Sequence, residues 1–361
     1  GLVITSASIF GCAFASTMMR LRIILPLLVS ALLVAASCRT AGPARKRKPR
    51  PPPPPPVESV EQPSIIEAPV VRDIPRGEFR QVMDGETPAR HYLLYVPETI
   101  DPMKPIPLVL MFHGGGGTPE GLAAEIRFNR EAADKGYMVA YPSGTGSNAG
   151  RLFWNVLMSE TYATLNQVDD LGFVGRLIDD IASRFPVDAK RIYASGFSQG
   201  GMLCYRLACD EVLSARIAAI APVGAVMTVP HADCRAARAV PVMAFAGVRD
   251  PIILYNGGTS DKIPRNDRIN RPSVKSGIDF WVGRAGLPAT PMASGERGAA
   301  VMEQYGPDEA GHEVILWSLQ DGGHTWPGAN SVLPEWLVGS VNRDVNASQL
   351  ICDFFARHQL P

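Results

Sequence analysis

Residues 191–202, Arg-Ile-Tyr-Ala-Ser-Gly-Phe-Ser-Gln-Gly-Gly-Met, constrain the fold more than any other stretch. A short apolar run at 191–194 leads into Gly196-Phe197-Ser198-Gln199-Gly200, and a helical pattern through Met202, Leu203, Tyr205 and Leu207 follows. Glycine two residues either side of a serine suits a sharp strand-to-helix turn, because a side chain at either place would meet neighbouring backbone. Such a turn exposes the serine hydroxyl. The helix then aims its first N–H groups at the space where negative charge on an oxygen would develop. The pattern predicts Ser198 as a nucleophile.

From residue 70 onward the chain alternates apolar runs with helical ones. Strands are expected at 91–96, 108–112, 138–141, 191–194, 217–221, 242–246 and 314–319, and helices at 120–135, 171–184, 200–209, 274–285 and 348–358. Near-continuous apolar strands separated by helices predict an α/β fold, a mainly parallel sheet flanked by helices on both faces, in one domain over 70–361.

The segments ahead of that domain have a different character. Residues 1–37 read as a signal or leader segment, with its start expected at Met18 or Met19. Met18-Met19-Arg20-Leu21-Arg22 is basic, and the apolar run at 23–36 is shorter than the ~20 residues that span a bilayer. It closes on Ala35-Ala36-Ser37-Cys38, which resembles a bacterial lipoprotein signal and implies a lipid on Cys38 and a membrane tether. Residues 38–69, with the basic run at 45–50 and the prolines at 49–56, read as a disordered, extended tether. Lysine and arginine (35) balance aspartate and glutamate (35), so no nucleic-acid partner is expected.

A serine nucleophile needs oxyanion donors, a base and an acid. After the strand at 108–112 comes His113-Gly114-Gly115-Gly116-Gly117-Thr118-Pro119. Its backbone predicts one oxyanion donor at Gly115 or Gly116, with Gln199 N–H as the other, and His113 as a structural residue. The base and acid are expected after the serine, acid first. His324, in Gly322-Gly323-His324-Thr325-Trp326-Pro327-Gly328 after the last strand, is the expected base in preference to His231, His312 and His358. Asp250, in Gly247-Val248-Arg249-Asp250-Pro251 after the strand at 242–246, is the expected acid, with Asp261 in reserve and Asp267 more distant.

Several stretches together resemble the polyhydroxybutyrate depolymerase family of esterases, which includes feruloyl and acetylxylan esterases and bacterial lipoprotein esterases. They are His113-Gly-Gly-Gly-Gly117, Val168-Asp169-Asp170-Leu171-Gly172-Phe173, Gly196-Phe-Ser-Gln-Gly-Gly201, Leu207-Ala208-Cys209-Asp210, Asp250-Pro251, Tyr255-Asn256-Gly257-Gly258 and Gly322-Gly-His-Thr-Trp-Pro-Gly328. The resemblance implies the α/β-hydrolase fold and a serine esterase with no metal or organic cofactor. Many relatives carry a cysteine after the helix tryptophan and another before the last strand. Here 284–287 and 305–308 contain none.

Among the remaining cysteines, Cys209 with Cys234 is the expected disulfide in an exported chain, and Cys204 and Cys352 are expected as buried thiols. Trp154 and Trp326 are candidates for contact with substrate at the site's edge. Asp169 and Asp170 are read as helix caps. The expected activity is that of an exported, monomeric esterase on short-chain hydroxyalkanoate oligomers, with feruloyl or acetyl esters on plant polysaccharide as the alternative. A catalytically inactive, surface-anchored binding protein is the alternative of a different class.

Overall fold

The computed structural model describes residues 75–361 apart from 84, 87 and 264–267. The leader, the tether and Cys38 lie outside the described residues, as does Asp267.

The strands are β1 (Gly77–Met83), β2 (Arg90–Val96), β3 (Ile106–Phe112), β4 (Met138–Pro142), β5 (Thr145–Asn148), β6 (Arg151–Phe153), β7 (Val187–Phe197), β8 (Ala219–Val223), β9 (Val242–Gly247), β10 (Ala293–Arg297), β11 (Ala300–Tyr305) and β12 (Val314–Leu319). The helices are α1 (Pro119–Ile126), α2 (Phe128–Lys135), α3 (Tyr162–Leu165), α4 (Asp170–Arg184), α5 (Gln199–Cys209), α6 (Glu211–Ser214), α7 (Val274–Arg284), α8 (Glu335–Val338) and α9 (Ala347–Phe355).

Ten strands form one sheet in the order β1-β2-β4-β3-β7-β8-β9-β12-β11-β10. The centre, from β4 to β12, is parallel, and the outer strands on each side pair antiparallel. This is an α/β-hydrolase fold. Every residue of β3, β4, β8, β9 and β12 is buried, as strands covered on both faces must be. Alternate side chains of β3 enter opposite layers of core. Leu108, Leu110 and Phe112 meet residues of α4, α5 and α7, whereas Val109 and Met111 meet those of α1, α2 and α9.

All seven expected strands are present, but the edge strands β1, β10 and β11 and the hairpin β5–β6 were not expected. The helix expected at 120–135 is two helices, because Arg127 adopts φ 50°. The break lets Ile126 and Phe128, two residues apart, both point into the core. Cys209, at the end of α5, is bonded to Cys234, and Cys204 and Cys352 are buried free thiols. No helix among the described residues is long and apolar enough to cross a membrane.

Candidate active site

Ser198 stands between β7 and α5 with φ 54° and ψ −117°, a backbone state that side-chain-bearing residues rarely hold. The surroundings enforce it. A Cβ on Gly200 would lie 2.1 Å from Phe112 O, one on Gly196 would lie 2.7 Å from Gly200 C, and one on Gly201 would lie 2.6 Å from Ala225 Cβ. Glycine at 196 and 200 lets α5 start hard against the end of β3, and glycine at 201 lets it pass close to the segment that follows β8. Ser198 N–H donates to Val223 O over 2.9 Å, tying the turn to the end of β8.

Asp250 follows β9 and His324 follows β12, neighbouring parallel strands whose C-terminal ends lie at the same rim. Asp250 Oδ2 accepts from His324 Nδ1 over 2.7 Å, and Asp250 Oδ1 accepts from the N–H groups of Ile252 and Ile253, each over 2.8 Å. Both side chains are buried. A carboxylate only accepts, so Nδ1 carries the proton and Nε2 is left with its lone pair. The imidazole packs on Phe197, ring centroids 4.8 Å apart, and a Cβ on Gly224 would stand 3.4 Å from Nδ1. The ring is thus held beside the residue before the serine. Among the described residues no hydrogen bond joins Ser198 Oγ to the imidazole; such bonds commonly close only when substrate is bound. Asp261, the reserve acid, is exposed and makes no contact with His324.

The segment after His324 acts as a strap. His324 N–H donates to Val338 O, and Gly323 N–H donates to Ser340 O over 2.8 Å. Gly323 has no room for a side chain, since a Cβ there would lie 2.2 Å from Val338 O.

The glycine loop touches the turn directly: a Cβ on Gly114 would lie 3.4 Å from Ser198 Cβ, and one on Gly115 would lie 2.7 Å from Gln199 Cδ. Of the two candidate donors, Gly116 is excluded, because its N–H already donates to Leu152 O over 2.7 Å. Gly115 N–H has no acceptor among the described residues. Its peptide is fixed from the other side. Gly114 O accepts from His113 Nδ1 over 2.8 Å and from Gly117 N–H over 3.0 Å. In a trans peptide the N–H points opposite to the carbonyl, so Gly115 N–H is turned away from the loop's interior.

His113 is buried, and its Nε2 accepts from Gly144 N–H over 2.9 Å. Burial lowers its pKa to about 4. The unfolded ring takes up a proton near pH 6.5 and the folded ring only near pH 4, so stability should fall as pH drops through that window, by on the order of 3 kcal/mol. Thermal melts between about pH 7 and pH 4 should show a flatter curve for His113→Gln than for the wild-type chain. Equal slopes would remove this role from His113.

Both tryptophans expected at the substrate edge are instead core residues. Trp154 is fully buried, with Nε1 donating to His113 O over 2.8 Å, and Trp326 is buried with Nε1 donating to Ser348 Oγ over 3.1 Å. Neither ring has a face open to a ligand. Trp154 supports the glycine loop from beneath, and this support rests on a pair that the sequence reading missed. Arg90 donates to Asp170 Oδ1 over 2.7 Å and to Ser143 O, and its guanidinium lies over Phe173 and Trp154. Asp170 Oδ2 in turn accepts from Asn155 N–H over 2.7 Å. Only Asp169 caps α4, accepting from Gly172 N–H. An arginine inside the apolar run at 90–96 was the signal for a buried ion pair.

With these parts on one rim, residues 90–262 match the family model described as Esterase PHB depolymerase. The chain is a carboxylic ester hydrolase, similar over that stretch to the PHB depolymerase family. The matched stretch contains Ser198 and Asp250 and ends before His324. "Putative esterase NocK" of Nocardia uniformis subsp. tsuyamanensis is 25% identical over 340 residues, covering 91% of this chain and 96% of that protein. Feruloyl esterase B of Piromyces equi is 29% identical over 238 residues, covering 65% of this chain and 42% of that protein. The chain therefore spans less than half the length of this second relative. Among solved structures, acetyl xylan esterase from Aspergillus awamori aligns with a TM-score of 0.48 at 14% identity, covering 68% of this chain and 94% of that one.

Proposed function

We propose that this esterase works through an acyl-enzyme on Ser198, with His324 as general base and Asp250 orienting it. The observation that carries the reading is the buried 2.7 Å Asp250–His324 hydrogen bond, with the imidazole packed on the residue that precedes the serine. Ser198 Oγ attacks the ester carbonyl as Nε2 takes its proton, and the N–H groups of Gln199 and Gly115 stabilise the oxyanion. The proton passes to the leaving alcohol. Water, activated by the same imidazole, then releases the acid.

Short-chain hydroxyalkanoate oligomers are the proposed substrates, supported by the family match and by a cavity of about 520 Å³ at Ser198. The relatives named feruloyl and acetylxylan esterases support feruloyl or acetyl groups on polysaccharide as the second reading. The leader-like sequence and the Cys209–Cys234 disulfide support export of residues 70–361 on a lipid-anchored tether at Cys38.

A fluorophosphonate probe should label the purified chain at Ser198, and the same preparation should hydrolyse p-nitrophenyl butyrate, hydroxybutyrate oligomers or methyl ferulate. A chain that neither labels nor turns over any of them would be an inactive binding protein, and the proposal would fall.

A further inference from the structure

The cavity that holds Ser198 carries more positive charge than ester chemistry alone requires. Its charged lining is Arg151, Lys262 and Arg271 against Glu160. Arg271 is buried and donates to Met158 O over 3.3 Å, and Glu160 on the same lining carries one charge of opposite sign. That leaves Arg151 and Lys262 as the excess. Among the described residues, neither the Arg151 guanidinium nor the Lys262 ammonium has a hydrogen bond or ion pair.

Arg151 is also held in place. It opens β6 and pairs with Asn148 of β5, and the next residue, Leu152, exchanges hydrogen bonds with the glycine loop through Gly116 N–H and Gly117 O. A Cβ on Gly116 would lie 3.9 Å from Arg151 Nε. The backbone that carries Arg151 is therefore tied to the loop that supplies the proposed oxyanion donor. Lys262 comes from a different element, the segment after Asp250, where its backbone N–H donates to Ser260 Oγ over 3.0 Å. The same cavity is lined by Phe153, Val156, Met202, Ile253, Ile263 and Leu337. An apolar lining with two unpartnered cations fits a ligand that has an aliphatic body and an anionic end.

We infer that the cavity selects esters bearing a free carboxylate, which Arg151 and Lys262 receive while Ser198 acts on the ester bond, as at the acid end of a hydroxyalkanoate oligomer. This rests on the reading of Ser198 as nucleophile, and it narrows the two substrate classes to one. Feruloyl and acetyl groups carry no carboxylate once esterified. An oligomer keeps one at its end after every cleavage, and each released product is again a carboxylic acid. A guanidinium beside the reacting ester can receive that carboxylate through paired N–H donors, which a bare field at the surface would not do.

The test compares the 3-hydroxybutyrate trimer as free acid with its terminal primary amide, which has the same size and ester bonds but no charge. The wild-type chain should show kcat/KM about tenfold higher for the acid at low salt, shrinking as ionic strength rises. Arg151→Gln and Lys262→Gln should each lower that ratio, and the double variant should bring it to about one, whereas Arg151→Lys should keep only part of it. A ratio at or below one in the wild-type chain, or one that survives in the double variant, overturns the inference. Calorimetric binding of acid and amide to Ser198→Ala reads the same preference without turnover. If Ser198→Ala retains turnover, the nucleophile assignment fails, and the binding preference still reports on Arg151 and Lys262.

Discussion

Replacing Ser198 with alanine is expected to lower kcat by about six orders of magnitude, the loss found when a serine hydrolase keeps its oxyanion site but has no nucleophile. The substitution removes one oxygen from a turn whose shape is set by Gly196 and Gly200 against β3 and by Gly201 against Ala225. Folding should therefore be unaffected, and the melting temperature should match that of the wild-type chain. Substrate affinity should also change little, since the cavity walls remain. Measured turnover of p-nitrophenyl butyrate within tenfold of wild type would place the reacting group elsewhere.

Asp250→Asn should cost about four orders of magnitude in kcat, out of proportion to a change of one atom. The reason lies in what surrounds the carboxylate. Oδ1 accepts from two backbone N–H groups, Ile252 and Ile253, so the asparagine must turn its carbonyl oxygen to them. Its amide NH2 then faces Nδ1 of His324, which must become an acceptor. The imidazole proton moves to Nε2, the atom that should take the proton from Ser198, and the base is lost while the fold stays intact. Asp261→Asn serves as the control and should leave kcat unchanged. A loss in Asp261→Asn, with Asp250→Asn near wild type, would exchange the two assignments.

The parallel centre of the sheet was legible because its strands are apolar on both faces, and a run such as Leu108-Val109-Leu110-Met111-Phe112 has few other places to go. The edge strands were not. β1 alternates half-buried and exposed residues, and β10 is mostly exposed, so neither carries the apolar run that marks a covered strand. Arg127 was hidden for another reason. Nothing local asks an arginine to adopt a positive φ, and only the burial of Ile126 and Phe128 on either side accounts for it.

In the site, position along the chain was informative and orientation was not. Glycine spacing located Ser198, and strand ends located Asp250 and His324. Which loop glycine keeps a free N–H depended on Leu152, more than 30 residues away and outside any motif. The tryptophans misled because Trp154 and Trp326 lie in connecting segments near the rim, while their indole N–H groups reach inward to His113 O and Ser348 Oγ. Burial of Asp170 was likewise invisible until Arg90 was seen to meet it from β2.

The strap that holds His324 has a consequence for how this chain tolerates changes in length. The backbone at 323–324 is clamped to Val338 and Ser340, so everything between forms a closed excursion with both ends fixed. Its outer part, where Val332, Leu333 and Trp336 stand in solvent, has room for added or deleted residues without shifting the imidazole. Shortening the chain across 338–340 would instead undo the clamp itself. Variation among natural homologues in this region should therefore gather at the tip of the excursion and stop at its feet.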